Sequence, residues 1–165
     1  MSKIITQTLN QIEPVSVELK KKAQAHLDSL TKPLGSLGTL EDLSKRYFSI
    51  RNSESVSIKN ISTVVFVADH GVAEEGVSAY PSEVTPQMVF NYLNQGAAVN
   101  VLANHIKAEV TIVDIGVNFD FKDHPNLLHR KISLGTKNFT KEPSMTYSQA
   151  EGSISTGIRI AEESA

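Results

Sequence analysis

The side chains best suited to chemistry in this 165-residue sequence lie at or near the ends of two apolar runs. Asp69 and His70 come directly after residues 62–68, and Asp114 lies within a second run, residues 109–115. In an open α/β sheet, ligands bind outside the carboxyl ends of the strands. Two titratable groups at one strand end favour a polar role in a ligand site for Asp69 and His70. His70 can serve as a proton acceptor, a hydrogen-bond donor or a packed structural histidine, whereas Asp114 alone is typical of a turn that closes a strand.

The segment that follows the first strand end is rich in apolar side chains. Tyr80, Pro81 and Met88 stand among several such residues between positions 77 and 89. Because tyrosine and methionine pack well against rings, these residues can line a pocket for a flat aromatic ligand. The alternative is that they form core beneath the loop.

Several other classes of site are excluded by what the sequence lacks. It has no cysteine, which excludes a disulfide framework, a thiolate zinc site and a cysteine nucleophile. The histidines have no metal-ligand spacing, so no metal is expected. There is no Walker A loop, no Gly-x-Gly-x-x-Gly after a strand and no Gly-x-Ser-x-Gly. Glu74, Glu75 and Glu83 are interpreted as solvated loop carboxylates, although paired carboxylates can do acid–base work.

Charge and hydropathy limit the partners and the cellular location that the sequence allows. Sixteen Lys and Arg against 18 Asp and Glu give a formal net charge of −2, so electrostatics offers no case for nucleic acid or an anionic membrane. No apolar run approaches the ~20 residues that span a bilayer. The N-terminus lacks the long apolar core of a secretory signal. A soluble, cytoplasmic protein is therefore expected.

The elements that must position these residues begin with a helical part. Hydrophobic periodicity predicts amphipathic helices over residues 14–31 and from Ser36 to about Arg51. Residues 31–35 contain the proline and glycine that separate the two helices. The polar residues 53–60 are interpreted as a linker.

Beyond residue 60 the pattern is that of an α/β domain. The runs at 62–68 and 109–115 do not alternate, which predicts parallel strands buried on both faces. Thr85 as N-cap and Pro86 in the first turn predict a helix over residues 85–104. Strand, helix and strand in this order form a βαβ unit whose two strands are parallel and adjacent or near-adjacent.

The last third of the chain adds a short strand near residues 127–132 and a final helix. Thr146 and Gln149 form the capping box that starts this helix. Two clear strands make a poor parallel sheet, so we expect a piece of a larger α/β protein. The domain organisation predicted is a helical segment over residues 1–52 and part of an α/β domain over residues 61–165.

Five motifs in this sequence resemble, in order and spacing, those of one enzyme family. They include Lys-Pro-Leu-Gly-Ser-Leu-Gly in the first motif and Ala-Asp-His-Gly-Val in the second. The motifs lie at residues 30–41, 68–72, 75–85, 96–103 and 113–117. Together they resemble the nicotinate-nucleotide–dimethylbenzimidazole phosphoribosyltransferases. Residues 135–138 and 142–146 also resemble this family.

The resemblance implies a Rossmann-like parallel sheet with flanking helices and an N-terminal helical part, in a homodimer without metal or cofactor. Members transfer phosphoribose from nicotinate mononucleotide to 5,6-dimethylbenzimidazole or a related base. The reaction is a pentosyl transfer that gives nicotinate and the α-ribazole phosphate used for the lower ligand of cobalamin. A general base must accept the N–H proton of the attacking ring.

The resemblance also implies which residues bind the lower-ligand base. The residues carried over to that pocket are Tyr80, Pro81, Met88, Ser78 and Ala79. Asp69 and His70 match a family motif and are candidate polar residues of the active site. Family members are longer, and their catalytic glutamate and glycine-rich phosphate segment are expected beyond residue 165. The chain is expected to be a truncated enzyme, inactive alone; alternatives are a noncatalytic half-protein that binds an aromatic ligand or a partner subunit, and a generic nucleotide-binding domain.

Overall fold

A computed structural model describes residues 2–51 and 57–164, which form two compact units. Residues 11–59 make one unit, and residues 1–10 with 60–165 make the other. Residues 53–56 of the predicted linker lie outside the described residues, and residues 57–60 belong to no helix or strand.

The first helix, α1 (Lys3–Gln11), has no counterpart in the sequence prediction. Ile5 is buried, and Ser2 Oγ lies 3.1 Å from Ser155 Oγ of the last helix. The first ten residues, which the sequence division assigned to the helical segment, therefore group with the α/β unit.

The unit of residues 11–59 contains two helices that pack together, α2 (Val17–Ser29) and α3 (Thr39–Arg51). The start predicted for α2 at residue 14 is wrong by three positions. Ser16 is the N-cap, because its Oγ accepts a hydrogen bond from the backbone N of Leu19 at 3.3 Å.

A buried ion pair fixes the connection between α2 and α3. Lys32 Nζ donates to Glu41 Oε1 at 2.8 Å, and the same oxygen accepts from the backbone N of Leu37 at 3.1 Å. Gly35 and Gly38 have φ angles of +69° and +54°, which other residues rarely adopt. The glycine-rich segment between the helices is thus a corner, and the Glu41 carboxylate of α3 holds it by these hydrogen bonds.

The α/β unit is built on three parallel strands in the order β1-β2-β3. Their bounds are Ser62–Ala68 for β1, Glu109–Gly116 for β2 and Leu127–His129 for β3. Val65 of β1 pairs with Ile112 of β2. The prediction of adjacent parallel strands is confirmed, and β3 is shorter than the predicted span of residues 127–132.

The single helix predicted over residues 85–104 is wrong. The structure has two helices there, α4 (Val84–Leu93) and α5 (Ala98–His105). Gln95 between them has a φ of +59°, which ends the helical path. Gly96 follows, and its backbone N donates to the carbonyl of Asn91 at 2.9 Å.

The start of α4 also differs from the prediction that Thr85 is the N-cap. The N-cap position is Glu83, whose side chain makes no capping hydrogen bond. Val84 N and Thr85 N instead donate to the carbonyls of Pro81 and Ser82, each at 3.0 Å. A tight turn, rather than a hydroxyl, satisfies the first amides of this helix.

The core of the α/β unit lies between one face of the sheet and α4. Its buried residues are Val67, Val89, Ile112, Val117 and Leu127. Since alternate residues of a strand point to opposite faces, Phe66 of β1 lies on the other face, where it is 45% exposed. The expectation that β1 is buried on both faces is therefore wrong, because among the described residues nothing covers the Phe66 face as closely as α4 covers the Val67 face.

The last helix, α6 (Tyr147–Glu163), begins as the sequence predicts. Thr146 Oγ1 accepts from Gln149 N at 3.2 Å, and Gln149 Oε1 accepts from Thr146 N at 2.8 Å. The capping box is confirmed. None of the helices in the described ranges has both the length and the apolar character needed to cross a bilayer.

We expect Glu41→Gln to lower the stability of the chain at neutral pH and to reduce its pH dependence. Hydrogen bonds from Lys32 and Leu37 hold the pKa of Glu41 below its ordinary value of 4.5. The unfolded state therefore binds more protons than the folded state near this pH. The contribution of the Glu41 carboxylate to the free energy of unfolding is present above about pH 4.5 and is lost as the pH falls through the lowered pKa. Urea unfolding measured from neutral to acidic pH checks this.

The midpoints of the wild type and Glu41→Gln should converge as the pH falls. Asp42→Asn is the matched control, because Asp42 pairs with Lys45 at 2.8 Å on the exposed side of the same helix. Exposed pairs contribute roughly 0–1 kcal/mol, so this variant should stay close to the wild type. A difference between wild type and Glu41→Gln that is the same at every pH would contradict the prediction.

Candidate functional site

A cavity of about 700 Å³ opens beyond the carboxyl end of β1. Its walls are the last residues of β1, the loop that follows and the first turns of α4. The residues singled out from the sequence that line it are Asp69, His70, Ser78, Tyr80, Pro81 and Met88. Ala79, also singled out, is not among the lining residues. The cavity lies where ligands bind in open α/β sheets.

The loop reaches over the cavity because it changes direction at a glycine. A 3₁₀ turn over Gly71–Glu75 ends at Gly76, whose φ is +70°. Further along, Tyr80 is 70% exposed and Met88 is 37% exposed. The alternative that Tyr80 is core beneath the loop is therefore wrong. Its ring is free to contact a ligand.

Asp69 connects the end of β1 to the loop after β2. Its side chain is buried, and Oδ2 accepts a hydrogen bond from Asn118 N at 2.8 Å. Its backbone N donates to the carbonyl of Gly116 at 3.0 Å. One carboxylate oxygen of Asp69 is thus used to hold the wall of the cavity.

His70 is exposed, which argues against a packed structural role. Its Nδ1 lies 3.2 Å from Thr136 Oγ1. Among the described residues Nε2 has no hydrogen-bond partner. Because a hydroxyl can both donate and accept, this contact is compatible with either tautomer, so Nε2 can donate to or accept from a ligand.

Asp114 forms the strand-closing turn that its sequence position indicates. Its side chain has no exposed surface, and Oδ1 accepts from Gly116 N at 3.1 Å and Val117 N at 2.9 Å. Oδ2 has no hydrogen bond of good geometry, and the ammonium of Lys131 balances it at 3.3 Å. Lys131 also donates to the carbonyls of Val117 and Phe119. This pair fixes the loop after β2.

Three phenylalanines join that loop to α4. Phe90 meets Phe119 and Phe121 edge-on, with ring centroids 5.8 and 5.5 Å apart. The cluster connects α4 to the loop after β2 by contacts that do not line the cavity. Sequence reasoning missed these rings and Lys131. The only signal was two aromatic residues in a polar segment.

The site offers no evident metal centre in the ranges 2–51 and 57–164. No three side chains of His, Asp or Glu come together there in a way that could hold a metal ion. Most of the residues that line the cavity are apolar, and its polar lining residues include Asp69, His70 and Ser78. A mostly apolar cavity with a few polar groups is typical of a small-molecule site.

Comparison with known proteins identifies similar sequences over nearly the whole chain. Residues 12–165 match the profile of a family described as phosphoribosyltransferase. A nicotinate-nucleotide–dimethylbenzimidazole phosphoribosyltransferase from Geobacter sulfurreducens is 49% identical over 160 residues, which are 97% of this chain and 46% of the relative. The enzyme of the same name from Chloroflexus aggregans is 48% identical over 160 residues, which are 97% of this chain and 45% of the relative.

Solved structures agree with the sequence matches. CobT from Thermus thermophilus superposes with a TM-score of 0.83 at 41% identity, covering 88% of this chain and 44% of that one. A second structure from the same organism, described as the dimethylbenzimidazole phosphoribosyltransferase, gives a TM-score of 0.84 at 40% identity over 90% of this chain and 45% of that one. The chain spans about half the length of the relatives it matches.

We expect Lys131→Met to destabilise the α/β unit by about 2–4 kcal/mol, because it leaves the buried carboxylate of Asp114 without its cation. Urea unfolding measures this. The double variant Lys131→Met/Asp114→Asn removes the buried charge and should recover part of the loss. Lys137→Met is the control, since the Lys137–Glu142 pair is exposed and contributes roughly 0–1 kcal/mol. Equal losses in the two lysine variants would refute this role for Lys131.

Proposed function

Because this chain belongs to the phosphoribosyltransferase family, we propose that it forms the base-binding part of an enzyme that transfers phosphoribose. The donor is nicotinate mononucleotide, and the acceptor is 5,6-dimethylbenzimidazole or a related lower-ligand base. The products are nicotinate and α-ribazole phosphate, used in assembling the nucleotide loop of cobalamin. The observation that carries the proposal is the apolar cavity at the end of β1, in a chain 49% identical to an enzyme named for these substrates.

The proposed reaction forms one C–N bond and breaks another. A ring nitrogen of the base attacks the anomeric carbon of the ribose, and the nicotinate leaves with the electron pair of its glycosidic bond. Since the nicotinate ring is positively charged in the donor, taking that pair neutralises the ring nitrogen and makes it a good leaving group. The other ring nitrogen of the base loses its proton to a general base. The family resemblance implies a glutamate outside residues 1–165 for that step.

The part of this chemistry that falls to the chain is to hold the base. Tyr80 and Met88 offer an aromatic ring and a thioether, both of which pack against a flat heterocycle. Pro81 adds rigid apolar surface, and Ser78 supplies a hydroxyl beside it. His70 Nε2 is a hydrogen-bonding partner for a polar atom of a substrate. These groups fix the ring so that its nitrogen is aimed at the ribose.

The proposal includes a homodimer that works in the cytoplasm on small-molecule substrates. The family resemblance supports the dimer, and the names of the relatives, which specify a nucleotide and a benzimidazole, support the substrates. Light scattering on a sizing column measures the mass in solution, and a mass of one chain at micromolar concentration would argue against the dimer.

We expect Tyr80→Ala to weaken binding of 5,6-dimethylbenzimidazole by about tenfold, because an aromatic contact adds about 0.5–1.5 kcal/mol beyond area burial. Isothermal titration measures the affinity, and a melting curve on the same sample measures stability. The melting temperature should change little, since Tyr80 is 70% exposed. Tyr147→Ala is the matched control, because this tyrosine is 93% exposed on α6 and does not line the cavity. Loss of stability with unchanged affinity would reject the base pocket.

We expect no phosphoribosyl transfer by this chain alone, because the proposed proton acceptor lies outside it. Nicotinate release from nicotinate mononucleotide in the presence of dimethylbenzimidazole is the assay. Turnover above a protein-free blank would place the proton acceptor within residues 1–165 and overturn this division of roles. Base binding without turnover is the expected result.

A further inference from the structure

The loop that lines the cavity is hydrogen-bonded to a segment that is distant in sequence. We call residues 71–83 the pocket loop and residues 135–142 the anchor segment. Gly71 N donates to Thr136 O at 2.9 Å, and Thr136 N donates to Asp69 O at 3.0 Å. The anchor segment therefore runs beside the beginning of the pocket loop as a short parallel pairing. Its residues do not line the cavity.

The two segments are in direct backbone contact at Gly71. A Cβ on Gly71 would lie 2.6 Å from Asn138 N and 2.7 Å from Lys137 C. Real Cβ atoms do not approach backbone atoms this closely, so any side chain at this position would push the segments apart. The glycine of the Asp-His-Gly motif is thus explained by the approach of the anchor segment.

Asn138 is the hydrogen-bonding centre of the contact. It is 7% exposed, and its Nδ2 donates to Glu75 Oε1 at 2.6 Å. Its Oδ1 accepts from Thr140 N at 3.0 Å and from Thr140 Oγ1 at 2.7 Å. Because a backbone N–H can only donate, the contact with Thr140 N fixes which end of the amide faces Glu75. The buried amide has no freedom to flip.

Glu75 is the point at which the anchor acts on the pocket loop. It is the last residue of the 3₁₀ turn, directly before the turn at Gly76. Hydrogen bonds from Asn138 and Lys141 hold the pKa of Glu75 below its ordinary value, so it accepts as a carboxylate at neutral pH. Charge-assisted hydrogen bonds are shorter and stronger than neutral ones.

We propose that Asn138 is a positioning residue for the base pocket, which holds the pocket loop in place through Glu75. Exposed ion pairs of Lys141 with Glu74 and Glu75, at 3.2 and 3.3 Å, act at this same end of the loop. The far end is fixed where α4 begins at Val84. With both ends held, Tyr80 is kept at a defined distance from Met88. Without the anchor the loop gains conformations, and binding a ligand must then include the entropy of ordering it. The inference rests on the proposed function only for the identity of the ligand.

The test reverses the polarity of the contact. Asn138→Asp sets a carboxylate against Glu75 while keeping an oxygen for Thr140. The double variant Asn138→Asp/Glu75→Gln restores an amide–carboxylate hydrogen bond with donor and acceptor exchanged. The measurements are amide hydrogen exchange of residues 72–80 and the affinity for 5,6-dimethylbenzimidazole by titration. We expect exchange about tenfold faster and affinity about tenfold weaker in the single variant, with both restored to within about threefold in the double variant.

Two further variants keep the test decisive. Glu142→Gln makes the same charge change as Glu75→Gln in the anchor segment but removes only the exposed pair with Lys137, so exchange and affinity should stay as in the wild type. If Asn138→Asp does not fold, Glu75→Ala removes the contact from the less buried side and should give the same faster exchange.

Each outcome bears on the proposal. Unchanged exchange in the single variant, or a double variant no better than the single, overturns it. Faster exchange with unchanged affinity for the base also overturns it, because the anchor would then not position the pocket. If the wild type binds no dimethylbenzimidazole, the proposed function fails for this chain. Exchange that rises in Asn138→Asp and is rescued in the double variant still supports the anchor in that case.

Discussion

A carboxylate with no exposed surface lies near the end of the central strand, and the loop after β2 is arranged to satisfy it. Asp114 takes two backbone amides on one oxygen and the Lys131 ammonium beside the other. A buried charge is costly unless it is paired and hydrogen-bonded. The path of the loop after β2 follows from this constraint, and Asp69 binds the amide of Asn118 in that same loop. Asp114, which does not line the cavity, therefore fixes the loop to which the cavity residue Asp69 is hydrogen-bonded.

The strands were predictable because their signal is local. Continuous β-branched runs predict the bounds of β1 and the start of β2, and these agree with the structure. The break between α4 and α5 was missed, because it depends on the left-handed backbone of Gln95. The single helix was predicted from Thr85 and Pro86, which indicate where a helix starts and not where it ends. The backbone conformation of one residue therefore decided the outcome.

The location of the candidate site was predictable, and its supports were not. The sequence shows a strand end followed by Asp, His, Gly and an apolar loop. It also identifies Tyr80 and Met88 as residues that can pack against a ring. Asn138 and Glu75 meet across 63 positions, and Lys131 reaches back from beyond β3 to Asp114. Polar residues at such separations carry no periodicity, and each one alone is typical of a solvated surface. Only the fold reveals which of them is buried and paired.

The unpaired side of β1 has a consequence for handling this chain. Among the described residues β1 is bonded to β2 alone, so one row of its backbone donors and acceptors faces outward along Ser62–Ala68. This edge is long, β-branched and uncharged, and it carries an exposed Phe66. Edges of this kind recruit strands from other molecules, which natural proteins prevent with charges, bulges or covering elements. Self-association of the isolated chain in concentrated solution would accordingly begin at β1, by edge-to-edge strand addition.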